Sequence, residues 1–255
     1  MINLQIIYAL TLTIFIGGIS GYLGSLMVTK RMALMGGALG HLTMPGVALA
    51  LLYNFDVSLG ALLFLFFGII LIWLFEIKTQ LPIEALTAIV FASSLAIAFL
   101  FLPEGKTSQA IIGDITNISA QITAITVLLS ITIFFLIKRI FSGLILMSIS
   151  NDIANSIHIN TKRYNLIYLA SIAIVVALGV RIVGGLMTAA LVAIPACTSK
   201  NLSKSLTQYS YGSMLLGGLA CAIGTSVFII TKIPAGPLII IFSSFLFLIS
   251  LMIKK

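Results

Sequence analysis

Val57-Ser58-Leu59-Gly60-Ala61-Leu62-Leu63-Phe64-Leu65-Phe66-Phe67-Gly68-Ile69-Ile70-Leu71-Ile72-Trp73-Leu74-Phe75 runs for nineteen residues without an Asp, Glu, Lys or Arg. As a helix it would be about 28 Å long at 1.5 Å per residue, against a hydrocarbon layer of ~30 Å. The run does not alternate in polarity, as a barrel strand would. Where no water reaches the backbone, every N–H and C=O must be bonded within the segment, and a helix does that. The stretch therefore reads as a membrane-spanning helix.

Eight further runs read the same way: 6–28, 33–53, 85–102, 118–137, 164–180, 182–198, 210–231 and 235–253. None contains Asp, Glu, Lys or Arg. Of the 255 residues, 60% are hydrophobic and 8% are charged. An average soluble domain carries ~25% charged residues, so this chain cannot coat a soluble globule. The fold class expected is an all-α polytopic membrane protein, a single domain over 1–255 with eight to nine transmembrane helices, some of them broken. A soluble enzyme, a disordered chain and a disulfide scaffold are excluded. Cys197 and Cys221 each lie inside an apolar run, as packing residues do.

The net charge is +8, but the basic residues do not gather as a nucleic-acid surface would require, and no nucleic acid is expected. They alternate between connecting segments. Lys30, Arg31, Lys78, Lys138, Arg139, Lys162, Arg163, Lys200, Lys204, Lys254 and Lys255 fall in one set, and only Lys106, Arg181 and Lys232 in the other. The rich set should be cytoplasmic. With nine spans the N-terminus is then outside and the C-terminus inside. The runs 164–180 and 182–198 are split only by Arg181, so one of them can be tilted, broken or re-entrant, leaving eight. The first run carries no basic leader and is expected to be retained.

Small residues recur at helical spacing: Gly17, Gly21 and Ser25; Gly36 and Gly40; Gly217, Cys221 and Gly224. Such stripes let backbones approach closely in lipid.

No catalytic constellation is present. Gly105-Lys106-Thr107 imitates the end of a phosphate-binding loop, but the first glycine of that motif would fall on Leu100. Any ATP hydrolysis must come from another subunit. The most informative stretch is Gly36-Gly37-Ala38-Leu39-Gly40-His41-Leu42-Thr43-Met44-Pro45-Gly46. His41 is the only ionisable group within the nine runs in the sense that matters at membrane depth, where such groups mark a pathway or a paired polar site. Pro45 has no N–H to give the carbonyl four residues back, which is that of His41. Imidazole suits zinc and other late first-row divalent ions. The competing reading is a neutral histidine hydrogen-bonded between helices beside a packing kink. Pro195 stands in the same relation to the carbonyl of Leu191, and Pro234-Ala235-Gly236-Pro237 opens the last run. Helix breaks in several spans suit transporters, and they also occur as plain kinks.

The segment 138–163 is the longest expected internal loop. It contains a predicted short helix at about 150–160, with Ser150 as N-cap, Asp152 in the first turn, and Ile149, Ile153 and Ile157 on one stripe. Such a helix can dock on a partner or lie on the bilayer surface.

These residues resemble the permease subunit of zinc/manganese ATP-binding-cassette importers. The resemblance is carried by Arg31, Gly36 to His41 and Pro45-Gly46; by Arg181-Ile182-Val183-Gly184 through Ala190-Leu191 to Ile194-Pro195-Ala196-Cys197-Thr198; and by Pro234-Ala235-Gly236-Pro237. Ile112-Gly113-Asp114-Ile115, and Asp152, Ala154 and Asn165, also fit the family's frame. The resemblance implies a homodimer of permeases in the bacterial plasma membrane, two cytoplasmic ATPase subunits, and an external metal-binding protein. It implies a divalent metal as substrate, zinc or manganese, with no permanently bound cofactor. It places His41 on the metal route, Pro45 and Pro195 at helix breaks lining it, and Asp152, Ile153, Ala154 and Ile157 at the ATPase contact. The family's aspartate four residues before the histidine is Gly37 here, and its serine is Gly40. Loss of a carboxylate should cost oxygen-loving Mn²⁺ more than Zn²⁺, so zinc is favoured. The alternative is an ion-coupled secondary metal transporter, which would want buried carboxylates in its spans.

Overall fold

The computed structural model describes residues 2–30, 32–79, 81, 83–101, 115 and 118–253. Ten helices are described: α1 Ile2–Thr29, α2 Ala33–Leu42, α3 Met44–Tyr53, α4 Val57–Thr79, α5 Ile83–Phe101, α6 Ala120–Ile149, α7 Asn151–Ser156, α8 Thr161–Leu202, α9 Leu206–Thr231 and α10 Ala235–Ile253. No strand occurs among the described residues. Gly105-Lys106-Thr107, Ile112-Gly113-Asp114 and the terminal lysines 254–255 lie outside them.

Large apolar side chains point outward along the bundle, among them Leu63, Phe67, Leu128, Phe135, Leu215 and Phe245. In water such a surface would drive aggregation, whereas in lipid it is the solvated face. Among the described residues six stretches are long and apolar enough to cross a membrane: Leu4–Thr29, Val57–Phe75, Ala120–Ile149, Arg163–Gly185, Leu206–Thr231 and Ala235–Ile253. Ala38–Tyr53 and Ala85–Phe101 are apolar but shorter. The expected eight to nine spans are thus not reached by helix length, for three reasons. The 33–53 run is interrupted at Thr43 and the 85–101 helix is short, while the 182–198 run lies beyond the break at Gly184, where the stretch Arg163–Gly185 ends.

The small-residue stripes pack as their spacing suggests. α1 and α9 lie antiparallel, glycine on glycine: a β-carbon at Gly17 would lie 2.5 Å from the Gly217 carbonyl oxygen, and one at Gly21 would collide with the Ser213 carbonyl. At the far end of this seam Thr225 Oγ1 donates to Thr13 Oγ1 at 3.0 Å. Cys221 is buried against Gly17 and Cys197 is half-buried, both as free thiols. Gly46 of α3 and Gly60 of α4 make a second such contact through their carbonyls.

α8 is not one straight helix. Gly184 has φ 76° and ψ 166°, a conformation that in practice only glycine adopts. In a continuous helix residues 179 and 188 would be about 13 Å apart along the axis. Here a β-carbon on Gly179 would lie 3.3 Å from Thr188 Cγ2 and 3.7 Å from Leu191 Cδ2. The chain therefore doubles back at Gly184 and forms a hairpin of two limbs, 161–183 and 185–202. The first limb begins beside the end of α1, where Lys30 Nζ donates to Asn165 Oδ1 at 3.0 Å and sits 5.0 Å from the Tyr168 ring centre. The second returns past Gly24 of α1, met by Val192, to Ser199, whose Oγ donates to the Tyr209 carbonyl at 2.8 Å. The hairpin tip is tied at the opposite face by an ion pair between Arg181 and Asp56, 2.9 Å.

The helix passes through Pro195 with helical backbone on both sides, so the interruption expected there lies at Gly184 instead. Pro234 and Pro237 flank the start of α10, where a missing N–H costs nothing. The segment expected as a loop over 138–163 is largely helical: α6 carries on through Lys138 and Arg139 to Ile149.

Candidate functional site

His41 lies in the last turn of α2, half-buried. Its ring packs on Phe91 of α5 with centroids 4.8 Å apart. Its Nδ1 is buried and has no hydrogen-bond partner among the described residues. A buried imidazole nitrogen normally has one, since leaving it bare costs ~1–3 kcal/mol. The reading of His41 as a histidine hydrogen-bonded between helices thus finds no bond at this nitrogen.

The turn after His41 is where the helix is interrupted. Thr43 is buried, and both its N–H, at 3.3 Å, and its Oγ1 donate to the Gly40 carbonyl. Pro45 occupies the second position of α3, where its missing N–H fits. Thr43 keeps right-handed helical angles, so this is a kink and not a reversal.

Against this kink sits the hairpin tip of α8. A β-carbon on Gly185 would be 3.1 Å from the Gly40 carbonyl oxygen, 3.2 Å from Thr43 Oγ1 and 3.2 Å from Met44 Cε. Thr188 Oγ1 donates to the Gly184 carbonyl at 2.7 Å. The two helix interruptions therefore touch, and they bring hydroxyl, carbonyl and thioether groups to the turn of His41. Such groups can pass a cation along. Among the described residues no three His, Cys, Asp or Glu side chains come together as a holding site.

Pro45 lines a cavity of about 260 Å³ between α3, α4 and α5, with Leu42, Phe64, Gly68 and Ser94 around it. Ser94 Oγ donates to the Leu42 carbonyl at 3.4 Å. Pro195 is buried elsewhere, three residues beyond the Val192 that meets α1. The two prolines thus belong to different neighbourhoods.

The predicted short helix is present as α7 but spans only 151–156. Ser150 Oγ accepts from the Ile153 N–H at 3.4 Å, as an N-cap does. The helix stops because His158 turns left-handed, φ 61°, and the Ile159 N–H reaches back to the Ala154 carbonyl at 3.1 Å. Ile149, Ile153 and Ile157 are exposed, while Ala154 is fully buried. Of Asp152 only its place in the helix is described.

Sequence reasoning missed the Gly40–Gly185 contact, and the turn it placed at Arg181, between the runs 164–180 and 182–198, falls three residues later at Gly184. The available signal was the Gly184-Gly185 pair near the start of the 182–198 run, just after the Arg181 that splits it from 164–180.

This all-helical, lipid-facing bundle with broken helices has the architecture of a membrane permease, and the chain matches the ABC 3 transport family over residues 3–254. It belongs to that family. It is 28% identical over 249 residues to the manganese import system permease protein ScaB of Streptococcus parasanguinis, covering 96% of this chain and 89% of that one. It is 23% identical over 239 residues to the high-affinity zinc uptake system membrane protein ZnuB of Buchnera aphidicola, covering 91% of each. Among solved structures it superimposes on a chain of PsaBC from Streptococcus pneumoniae in complex with Fab, with a TM-score of 0.84 and 25% identity over 97% of this chain and 91% of that one.

Proposed function

We propose that the chain is the membrane-spanning permease subunit of an ATP-binding-cassette importer for divalent metal ions, with zinc as substrate in preference to manganese. The observation that carries the reading is the match along nearly the whole chain to permeases named for manganese import and for zinc uptake. The site supports it. An imidazole nitrogen with no hydrogen-bond partner among the described residues stands beside two touching helix interruptions. Nitrogen and thioether donors without a neighbouring carboxylate favour Zn²⁺ over Mn²⁺.

The partners follow from the same reading. Two copies form the permease pair, an external metal-binding protein delivers the ion, and a cytoplasmic ATPase docks on α7 through Ile153 and Ile157, with Asp152 and Ala154 shaping that contact. The face carrying α7, Lys30 and Asn201 is cytoplasmic, and the Asp56–Arg181 face is external. The chain itself is not an enzyme in this scheme.

A strain lacking this chain, grown under zinc limitation and separately under manganese limitation, tests the reading. Failure under zinc limitation, relieved by zinc alone, is the expected result. Failure relieved only by manganese reverses the preference, and normal growth under both removes the metal reading.

A further inference from the structure

Two cavities meet on the outward face of α6. One is an apolar groove of about 570 Å³ between α1, α6 and α9, with Ile14, Gly18, Ile131, Phe135, Leu215 and Leu219 among its lining residues. It lies at mid-span of three helices long enough to cross the membrane. The other is an open pocket of about 930 Å³ between α6, the 157–160 turn and the start of α8. Its lining includes Phe135, Arg139, His158, Asn160, Arg163 and Tyr164. Phe135 borders both, and Arg139 follows it by one helical turn on the same face. Lys138 Nζ sits 5.8 Å from the ring centre of Phe134, which also lines the groove. Among the described residues neither Arg139 nor Arg163 is in an ion pair. The segment 138–163 holds four lysines and arginines and a single acidic residue, Asp152.

We propose that this face holds one anionic phospholipid of the surrounding bilayer, with its phosphate between Arg139 and Arg163 and an acyl chain in the groove. Guanidinium groups present a planar fork of donors that fits phosphate oxygens, and basic pockets between transmembrane helices recognise anionic head groups. The groove falls in the ~300–1,000 Å³ range of ligand pockets, and a lipid tail matches its nearly wholly apolar lining. A soluble phosphate would use the pocket and leave the groove unfilled. A soluble protein partner would cover the pocket but not reach mid-span. Only a molecule with an anionic head and an apolar tail uses both. The site is independent of the transport reading.

The test uses the full chain in detergent, with phosphatidylglycerol, phosphatidylcholine or glycerol phosphate added, and reads retained lipid by native mass spectrometry and the thermal midpoint. Phosphatidylglycerol should be retained and should raise the midpoint; phosphatidylcholine should do neither. Arg139→Gln with Arg163→Gln should weaken retention about 30-fold, about 2 kcal/mol at 1.4 kcal/mol per tenfold. Ala222→Phe, which fills the groove wall without touching either arginine, should also lower retention. Each variant is first shown to be monodisperse, with an unchanged midpoint in the absence of lipid. Equal retention of the two lipids, or undiminished retention in the arginine variant, overturns the proposal. An equal midpoint rise with glycerol phosphate makes the pocket a simple anion site and overturns it as well. Loss of ATPase pull-down in the arginine variant with lipid retention intact would assign the pocket to a protein partner instead.

Discussion

The backbones of Gly40 and Gly185 touch, with a β-carbon on Gly185 falling 3.1 Å from the Gly40 carbonyl oxygen and one on Gly40 colliding with that of Gly185. This contact joins the turn that carries His41 to the tip of the α8 hairpin. Gly40→Ala should push the two helices apart, because the obstacle is backbone and cannot rotate away. Core overpacking costs ~1–3 kcal/mol. The expected outcome is a lower thermal midpoint in detergent, and lower metal uptake per folded molecule. An unchanged midpoint would show that the helices separate freely.

Gly184 is required for a different reason. With φ 76° and ψ 166°, an alanine there would be strained whatever the space around it. Gly184→Ala should destabilise the protein by ~1–3 kcal/mol, or straighten the hairpin and abolish folding. Size-exclusion profiles and denaturation midpoints check this. Gly179→Ala is the control, because a β-carbon at 179 meets only side-chain atoms at 3.3 Å and beyond.

His41→Ala should reduce metal uptake several-fold while membrane abundance stays normal. The ring is only half-buried, and a buried nitrogen with no hydrogen-bond partner among the described residues is removed. Gly37→Asp places a carboxylate four residues before His41, on the same side of the helix. It should raise manganese uptake relative to zinc. Metal uptake measured ion by ion in cells carrying each variant decides both points; identical uptake in all three proteins takes His41 off the route.

Asp56 has two duties that mutation can separate. Its Oδ1 accepts from the N–H groups of Ser58, at 2.8 Å, and Leu59, at 3.3 Å, while its Oδ2 pairs with Arg181. Asp56→Asn keeps the helix cap and loses the charge; Asp56→Ala loses both. The alanine variant should be the less stable by about 1 kcal/mol, the worth of an N-cap. Equal midpoints would mean the cap contributes nothing.

Ile153→Asp should weaken ATPase pull-down without altering the fold, because Ile153 is 50% exposed. Ala154→Leu should instead lower the midpoint, since Ala154 is fully buried. Intact pull-down with Ile153→Asp would remove α7 from the docking surface.

Much of this architecture was legible in the residues, and the reason is solvent. Long runs without charge read as helices in lipid, and the described residues of all nine fall on helices save Thr43, Ile118 and Ser119. The Gly17–Gly21 and Gly217–Cys221 stripes were legible as close-packing faces, although which pair with which is a tertiary fact. Two features were not. Pro195 suggested a break, yet the helix absorbs it, because one missing hydrogen bond in an otherwise packed limb does not reverse a chain. The reversal expected at Arg181, between the runs 164–180 and 182–198, falls three residues later on Gly184, whose positive φ no local spacing reveals. The short helix was expected over 150–160 and ends at Ser156, because a left-handed residue at His158 closes it. Within the site, His41 was legible as the one imidazole in a charge-free run; its neighbours across the bundle, Phe91 and Gly185, were not.

Because α8 folds back on itself, both its roots stand on the face that carries α7, while its point rests on the turn of His41. A body of that shape is a crowbar. Rocking its base by about 5° would carry the point roughly 3 Å over a limb of ~34 Å, enough to open or shut a gap the size of one dehydrated ion. The ion pair at Asp56 fastens the other side of that point.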